Sequence, residues 1–236
     1  MTNNTHTLNE VVVTTDWLAQ HLTDSDIRVF DCTTHLIHQS SPESDAPYIV
    51  QSGKDDYDKA HIPGAAFIDL QQDLSDTTSP YRFTCLQANQ LAEKFGALGI
   101  GDNTTAVLYS QTTPQWATRI WWLLRTVGFD RACVLDGGLT RWQIDGRAVS
   151  SETTTHPPAL LTTQPRNGLL VDKATVLSAI DDDSTCTINA LRAVQHAGLD
   201  NGEFGHYGRP GRIPRSVNVP TNELVNPTTM EFLPSE

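Results

Sequence analysis

Up to about residue 150 the apolar positions fall into two kinds of run. Compact strand-like stretches, IRVFD (27–31), AAFIDL (65–70), TTAVLYS (104–110) and the ACVL within RACVLDGG, alternate with stretches of helical period. TTDWLAQHL (14–22) opens on Thr and Asp, suited to a helix start, and sets Trp17, Leu18 and Leu22 on one side. LQANQLAEKFGALGI (86–100) predicts a helix with Leu91, Phe95 and Leu98 inward and Gly99 closing it. PQWATRIWWLLRTVG (114–128) predicts a strongly apolar helix with Pro114 at its first position and Gly128 just past its end. LTRWQIDG closes this part with a short helix, and 33–60 reads as polar and turn-rich. Strands alternating with helices predict an α/β fold, a parallel sheet flanked by helices.

Residues 151–168, SETTTHPPALLTTQPRNG, are rich in Ser, Thr and Pro and read as a linker. The pattern then restarts. VDKATVLSAID (171–181) parallels TTDWLAQHL, STCTINAL (184–191) parallels DIRVFDCT, and RIPRSVNV parallels HIPGAAFI. Asn189 stands 158 residues after Asp31, and Arg212 stands 151 after His61, so the second copy is seven residues shorter between those points. A repeat this long means a duplicated domain, not a solenoid. The predicted organisation is a domain over 10–150, the linker, and an incomplete second domain over 169–236. Arg215 replaces Gly64 and is expected to crowd that turn.

The net charge of −12 opposes a nucleic-acid or anionic-membrane partner. No apolar run approaches the roughly 20 residues of a membrane helix. The start, MTNNTHTLNEVVVTT, lacks the basic and apolar regions of a signal peptide, so a cytoplasmic protein is expected. The cysteines, Cys32, Cys85, Cys133 and Cys186, form no C-x-x-C pair. They read as reduced thiols, with no metal site and no cofactor implied. Cys133 lies in a strand and is expected to be inert; Cys32 follows a strand end, partly exposed and equally inert.

In parallel α/β sheets, ligands gather beyond the C-terminal strand ends. The segment VLYSQTTPQWATRIWWLL passes from strand through a tight loop to a helix N-terminus, a geometry that would activate a cysteine nucleophile. The loop 110–118 holds Ser110, Thr112 and Thr113 but no cysteine. Trp116, Trp121 and Trp122 read as packing residues, and His61 as a maker of structural hydrogen bonds. Arg119 is expected to form an ion pair with Asp136 or Asp31.

In that order, AHIPGAAFIDLQQDLSDTTSP, FGALGIGDNTTAVLY, ATRIWWLLRTVGF, VLDGGLTRW and RPGRIPRSVNVPTNELVNPTTMEFLP make the chain resemble the tandem-domain rhodanese family of thiosulfate and 3-mercaptopyruvate sulfurtransferases. The resemblance implies two rhodanese-like domains, the first non-catalytic. The second would carry a cysteine that takes a sulfane sulfur as a persulfide and passes it to cyanide or a thiol. Ser110 lies 49 residues after His61, and the same spacing from Arg212 puts the catalytic loop near position 261, beyond Glu236. The resemblance further implies a small anionic sulfur donor, bound by Arg209 and Arg212. For Arg209 the alternative is a solvated loop arginine. For the chain as a whole, the alternative is a catalytically inactive rhodanese-like binding module.

Overall fold

The computed structural model describes residues 10–39, 41, 46–199, 203–204 and 209–234. The elements of the first 150 residues are β1 (Val12–Val13), α1 (Thr15–His21), β2 (Ile27–Asp31), β3 (Thr34–His38), β4 (Tyr48–Ser52), α2 (Lys54–Lys59), β5 (Ala66–Phe67), α3 (Leu70–Asp73), α4 (Ala88–Ala97), β6 (Thr105–Tyr109), α5 (Gln115–Thr126), β7 (Ala132–Leu135) and α6 (Gly138–Ile144). They are followed by α7 (Lys173–Ala179), β8 (Ile188–Asn189), α8 (Ala193–His196) and β9 (Val217–Asn218). The chain divides into two compact units. The first comprises the described residues of Met1–His35, Ser52–Asn167 and Thr228–Phe232; the second, those of Leu36–Gln51, Gly168–Pro227 and Leu233–Glu236.

The first unit is built on a sheet ordered β1-β7-β6-β2-β5, with every paired neighbour parallel. This is the α/β architecture that the alternation of elements predicts. β6 lies at its centre and all five of its residues are buried, as expected of a strand covered on both faces. Val107 and Tyr109 join one core cluster with Leu18 of α1 and with Leu139 and Trp142 of α6. Side chains alternate along a strand, so Ala106 and Leu108 serve the opposite face. α5 packs on β6 and β7. Local chemistry starts these helices: the Thr14 hydroxyl accepts from Trp17 N, and the Asp69 carboxylate accepts from Gln71 N and Gln72 N. Pro114 sits at the N-cap of α5, one position earlier than its sequence suggests. The polar stretch 33–60 holds β3, β4 and α2, which its composition does not announce.

Residues 150–167 run extended along the first unit and are hydrogen-bonded to it throughout. Ala159 N donates to Gly96 O (2.8 Å), Asp102 N to Leu160 O (2.9 Å), Gln164 N to Val127 O (2.8 Å) and Arg166 N to Thr126 O (2.9 Å). A Cβ on Gly96 would come within 2.6 Å of Ala159 O, so glycine there makes room for this strap inside a helix. Asp130 receives both arms of Arg166, at 2.7 and 2.5 Å, near the strap's end.

In the second unit β8 and β9 pair in parallel, with Ile188 opposite Val217 and Asn189 opposite Asn218. In the first, β2 and β5 set Phe30 opposite Ala66 and Asp31 opposite Phe67. The same pairing thus recurs at the offsets of 158 and 151 residues read from the sequence. Asn189 also repeats the role of Asp31 at the strand end: each side-chain oxygen accepts the N–H two residues on, from Leu191 (2.9 Å) and Thr33 (2.9 Å). Gly64 has φ of 77° and Arg215 has φ of 62°, so the second copy holds the same left-handed turn with a side chain on it.

Candidate functional site

β6 ends at Tyr109 and the chain passes through Ser110–Pro114 into α5, so this loop lies beyond the C-terminal edge of the sheet's central strand. Ser110 is 5% exposed. The cavity behind Ser110 and Thr113, closed by Gly137, Gly138 and Met230, measures about 10 Å³. That is at the limit for one water and far below the volume of a sulfur oxyanion.

Gln111 fills the turn. Its amide Nε2 donates to Asp31 Oδ2 (2.8 Å) and to Ala60 O (3.0 Å), and its backbone N–H donates to the Thr33 hydroxyl (2.9 Å). The Thr33 hydroxyl donates in turn to Asp31 Oδ1 (2.5 Å). Burial raises the pKa of Asp31 above the usual carboxylate value, against the lowering effect of the hydrogen bonds from Thr33 and Gln111. The loop amide and the carboxylate therefore satisfy each other, and the crevice where a parallel α/β fold would seat a ligand is closed by the protein's own side chain. Sequence reasoning did not single out Gln111, because its partner lies 80 residues away.

None of the four cysteines stands in a strand–loop–helix turn. Cys32 is fully buried, not partly exposed as its place after a strand end suggests, because β2 lies inside the sheet and Cys32 N still donates to Tyr109 O (2.8 Å). Burial raises its pKa well above the ordinary thiol value, and the Asp31 charge adds to the effect. Cys133 is pushed up to about 12 by burial. Cys85 is half-buried and raised by desolvation, with Arg119 pulling the other way. Cys186 is exposed. A thiol of raised pKa is a poor nucleophile at neutral pH.

Arg119 does not pair with Asp136 or Asp31. It donates from Nη2 to Phe83 O (3.2 Å), while Asp31 holds Gln111 and Asp136 accepts from Phe232 N (2.8 Å). Trp116 is buried, whereas Trp122 is 37% exposed. In the second unit, Arg209 and Arg212 both lie exposed on the loop before Ile213–Pro214, and Arg212 Nη1 donates to His196 O (3.2 Å). Among the described residues no helix is long and apolar enough to cross a membrane.

Sheet order, all-parallel pairing and the strand–loop–helix turn define a doubly covered α/β domain with its crevice at the end of β6. The model of the rhodanese-like domain matches residues 14–145, and the chain belongs to this family. It is 31% identical over 211 residues to the 3-mercaptopyruvate sulfurtransferase of Escherichia coli K12, covering 89% of this chain and 71% of that protein. It is 27% identical over 235 residues to the human 3-mercaptopyruvate sulfurtransferase, covering 97% and 75%. Among solved structures it is similar to the rhodanese-fold SseA of Escherichia coli, with a TM-score of 0.76 at 29% identity, over 95% of this chain and 79% of that one.

Proposed function

We propose that this protein belongs to rhodanese-type sulfur transfer, which moves the outer sulfur of thiosulfate or the thiol sulfur of 3-mercaptopyruvate to a thiol or cyanide through a cysteine persulfide, with the nucleophilic cysteine absent from these 236 residues. In that chemistry a thiolate attacks the donor's transferable sulfur and the bond to the donor's remainder breaks; with 3-mercaptopyruvate this is the C–S bond, and pyruvate leaves as its enolate, which takes up a proton. With thiosulfate, sulfite leaves and a cysteine persulfide remains. The acceptor nucleophile then takes the outer sulfur and the thiolate is restored. We assign residues 10–150 as a non-catalytic rhodanese-like domain, 151–168 as its connection, and 169–236 as part of a second such domain. The recurrence of strand register at the repeat offsets supports this division. Arg209 and Arg212 are assigned to the donor anion: they sit together on an exposed loop, and guanidinium groups suit a sulfonate or carboxylate. A reducing, cytoplasmic setting suits the four free cysteines, and the net charge of −12 suits a small donor over a nucleic acid.

One observation carries the assignment of the first domain: its loop is closed by Gln111 on Asp31 and holds no cysteine. The same observation favours a second reading, in which residues 1–236 by themselves act as a rhodanese-like binding module. The test is to incubate the 236-residue chain with thiosulfate or 3-mercaptopyruvate and look for an added sulfur by mass spectrometry, with sulfite or pyruvate release measured in parallel. No persulfide and no turnover are expected, whichever donor is used. Turnover with a persulfide on Cys32, Cys85, Cys133 or Cys186 would overturn the assignment.

A further inference from the structure

Between α5 and the edge strand β1 the first unit carries an open groove of about 410 Å³. That volume lies in the range of small-molecule sites. Val11, Val12 and Val134 line it from the sheet, Trp121 and Trp122 from α5, and Phe232 completes the lining. Its walls are held in place. Trp121 Nε1 donates to Ala132 O (3.1 Å), and the Arg125 guanidinium lies over the same ring at 5.6 Å. Phe232 N donates to Asp136 Oδ1 (2.8 Å), and Val134 N to Val11 O (2.8 Å). A ligand entering here therefore has little wall to order.

Arg119 lines the same groove and is half-buried. Its hydrogen bond runs from Nη2 to Phe83 O (3.2 Å), and among the described residues no carboxylate pairs with it. The acids nearby are engaged elsewhere. Asp31 holds Gln111, Asp136 accepts from Phe232, Asp130 takes Arg125 and Arg166, and Glu231 lies 3.6 Å from Arg141. Glu10 is exposed and does not line the groove. A guanidinium has five N–H donors, so most of those on Arg119 are open to a ligand, and they suit the two oxygens of a carboxylate. The fixed rings beside it suit an aromatic body. We infer that this groove binds a small aromatic carboxylate, its ring among Trp121, Trp122 and Phe232 and its carboxylate on Arg119. A second copy of the chain would bring a further net charge of −12 to this face, whereas such a ligand brings one negative charge that Arg119 meets.

The test uses isotope-labelled, full 236-residue protein titrated with 2-naphthoate and, separately, with the uncharged 2-naphthamide of the same shape. The Nε–H signals of Trp121, Trp122 and Arg119 are followed by NMR. Saturable shifts at all three are expected, with the acid binding roughly tenfold tighter than the amide. Arg119→Met should remove that preference and leave amide binding unchanged. Val11→Trp, at a position 49% exposed, should fill the groove and weaken both ligands by about tenfold or more. Equal affinities for acid and amide, or no saturable shift at these three signals, overturn the inference, and both are read on native protein even if a variant does not fold. Self-association in sedimentation that Val11→Trp abolishes would assign the groove to a second copy and overturn it as well.

Discussion

The strand pairs β2–β5 and β8–β9 run parallel in matching register, and each begins from the same kind of strand end and Ile-Pro turn. Their surroundings differ completely. Phe30 of β2 is fully buried, with β6 on its other side, whereas Ile188 of β8 is 59% exposed in a two-stranded sheet. Among the described residues of the second unit only Ser216 and Pro220 are buried. Similar local sequence therefore makes similar local geometry, but burial comes from further strands and helices laid against it. Stability should follow burial and not sequence similarity, because the hydrophobic term scales with area removed from water.

The sharpest way to break this comparison is truncation in both sheets. Leu108→Ala, in the central strand, should cost about 2–5 kcal/mol, while Ile188→Ala should cost under about 1 kcal/mol. Urea unfolding of both variants checks it, and equal losses would mean that β8 is covered in solution. A smaller effect should appear at the shared turn, with opposite sign in the two copies. A Cβ on Gly64 meets nothing within 4 Å, so Gly64→Ala should cost only the left-handed backbone penalty, about 1 kcal/mol. Arg215→Gly should relieve that penalty. It also removes the ion pair with Asp183 and a bond to Ile180 O (3.1 Å), so the net gain should stay below about 1 kcal/mol. Exchange protection of Val219, whose N–H donates to Asn189 O, should rise; a fall would show that the arginine contacts outweigh the backbone.

The smallest effect concerns the strand-end pair Asp31 and Asn189. Burial raises the pKa of Asp31, so between its unfolded and folded values the native state holds more protons than the unfolded chain. Its contribution is fully present below the unfolded value, about 3.9, and is lost as pH rises through the higher folded value. Asp31→Asn, the residue of the second copy, should remove that slope. Chemical denaturation of both proteins at several pH values from about 4 upward should give curves whose difference shrinks toward acid; a constant difference would deny Asp31 this role.

Much of the first unit can be read from period and caps. β2 spans the predicted 27–31, and α4 buries Leu91 and Phe95 before Gly99 turns at a φ of 91°. The two-stranded sheet of β3 and β4 is missed because its strands are short and almost all of their residues are partly buried or exposed, so no apolar alternation announces them. The composition of 151–168 signals freedom from regular structure. Extended backbone bonded to loops and helix ends has that same composition, so a strap and a tether look alike in sequence. The closure of the candidate loop by Gln111 left no local sign, and Arg119 found a carbonyl where charge alone suggested an aspartate.

The sequence by itself determined what acts over a few residues: the cap at Thr14, the glycine turn after α4, the absence of a cysteine from the loop after β6, and the doubled Ile-Pro motif with its offsets. The cap and the turn rest on a hydrogen bond and a backbone preference satisfied within one turn of chain, so spacing alone reveals them. Only the tertiary structure decided that Gln111 would close on Asp31, that Cys32 would be sealed beside Tyr109, and that both ring nitrogens of His61 would face carbonyls, one of them 91 residues away. Those contacts join residues whose meeting depends on how strands are ordered across the sheet, and strand order is set by packing the whole core.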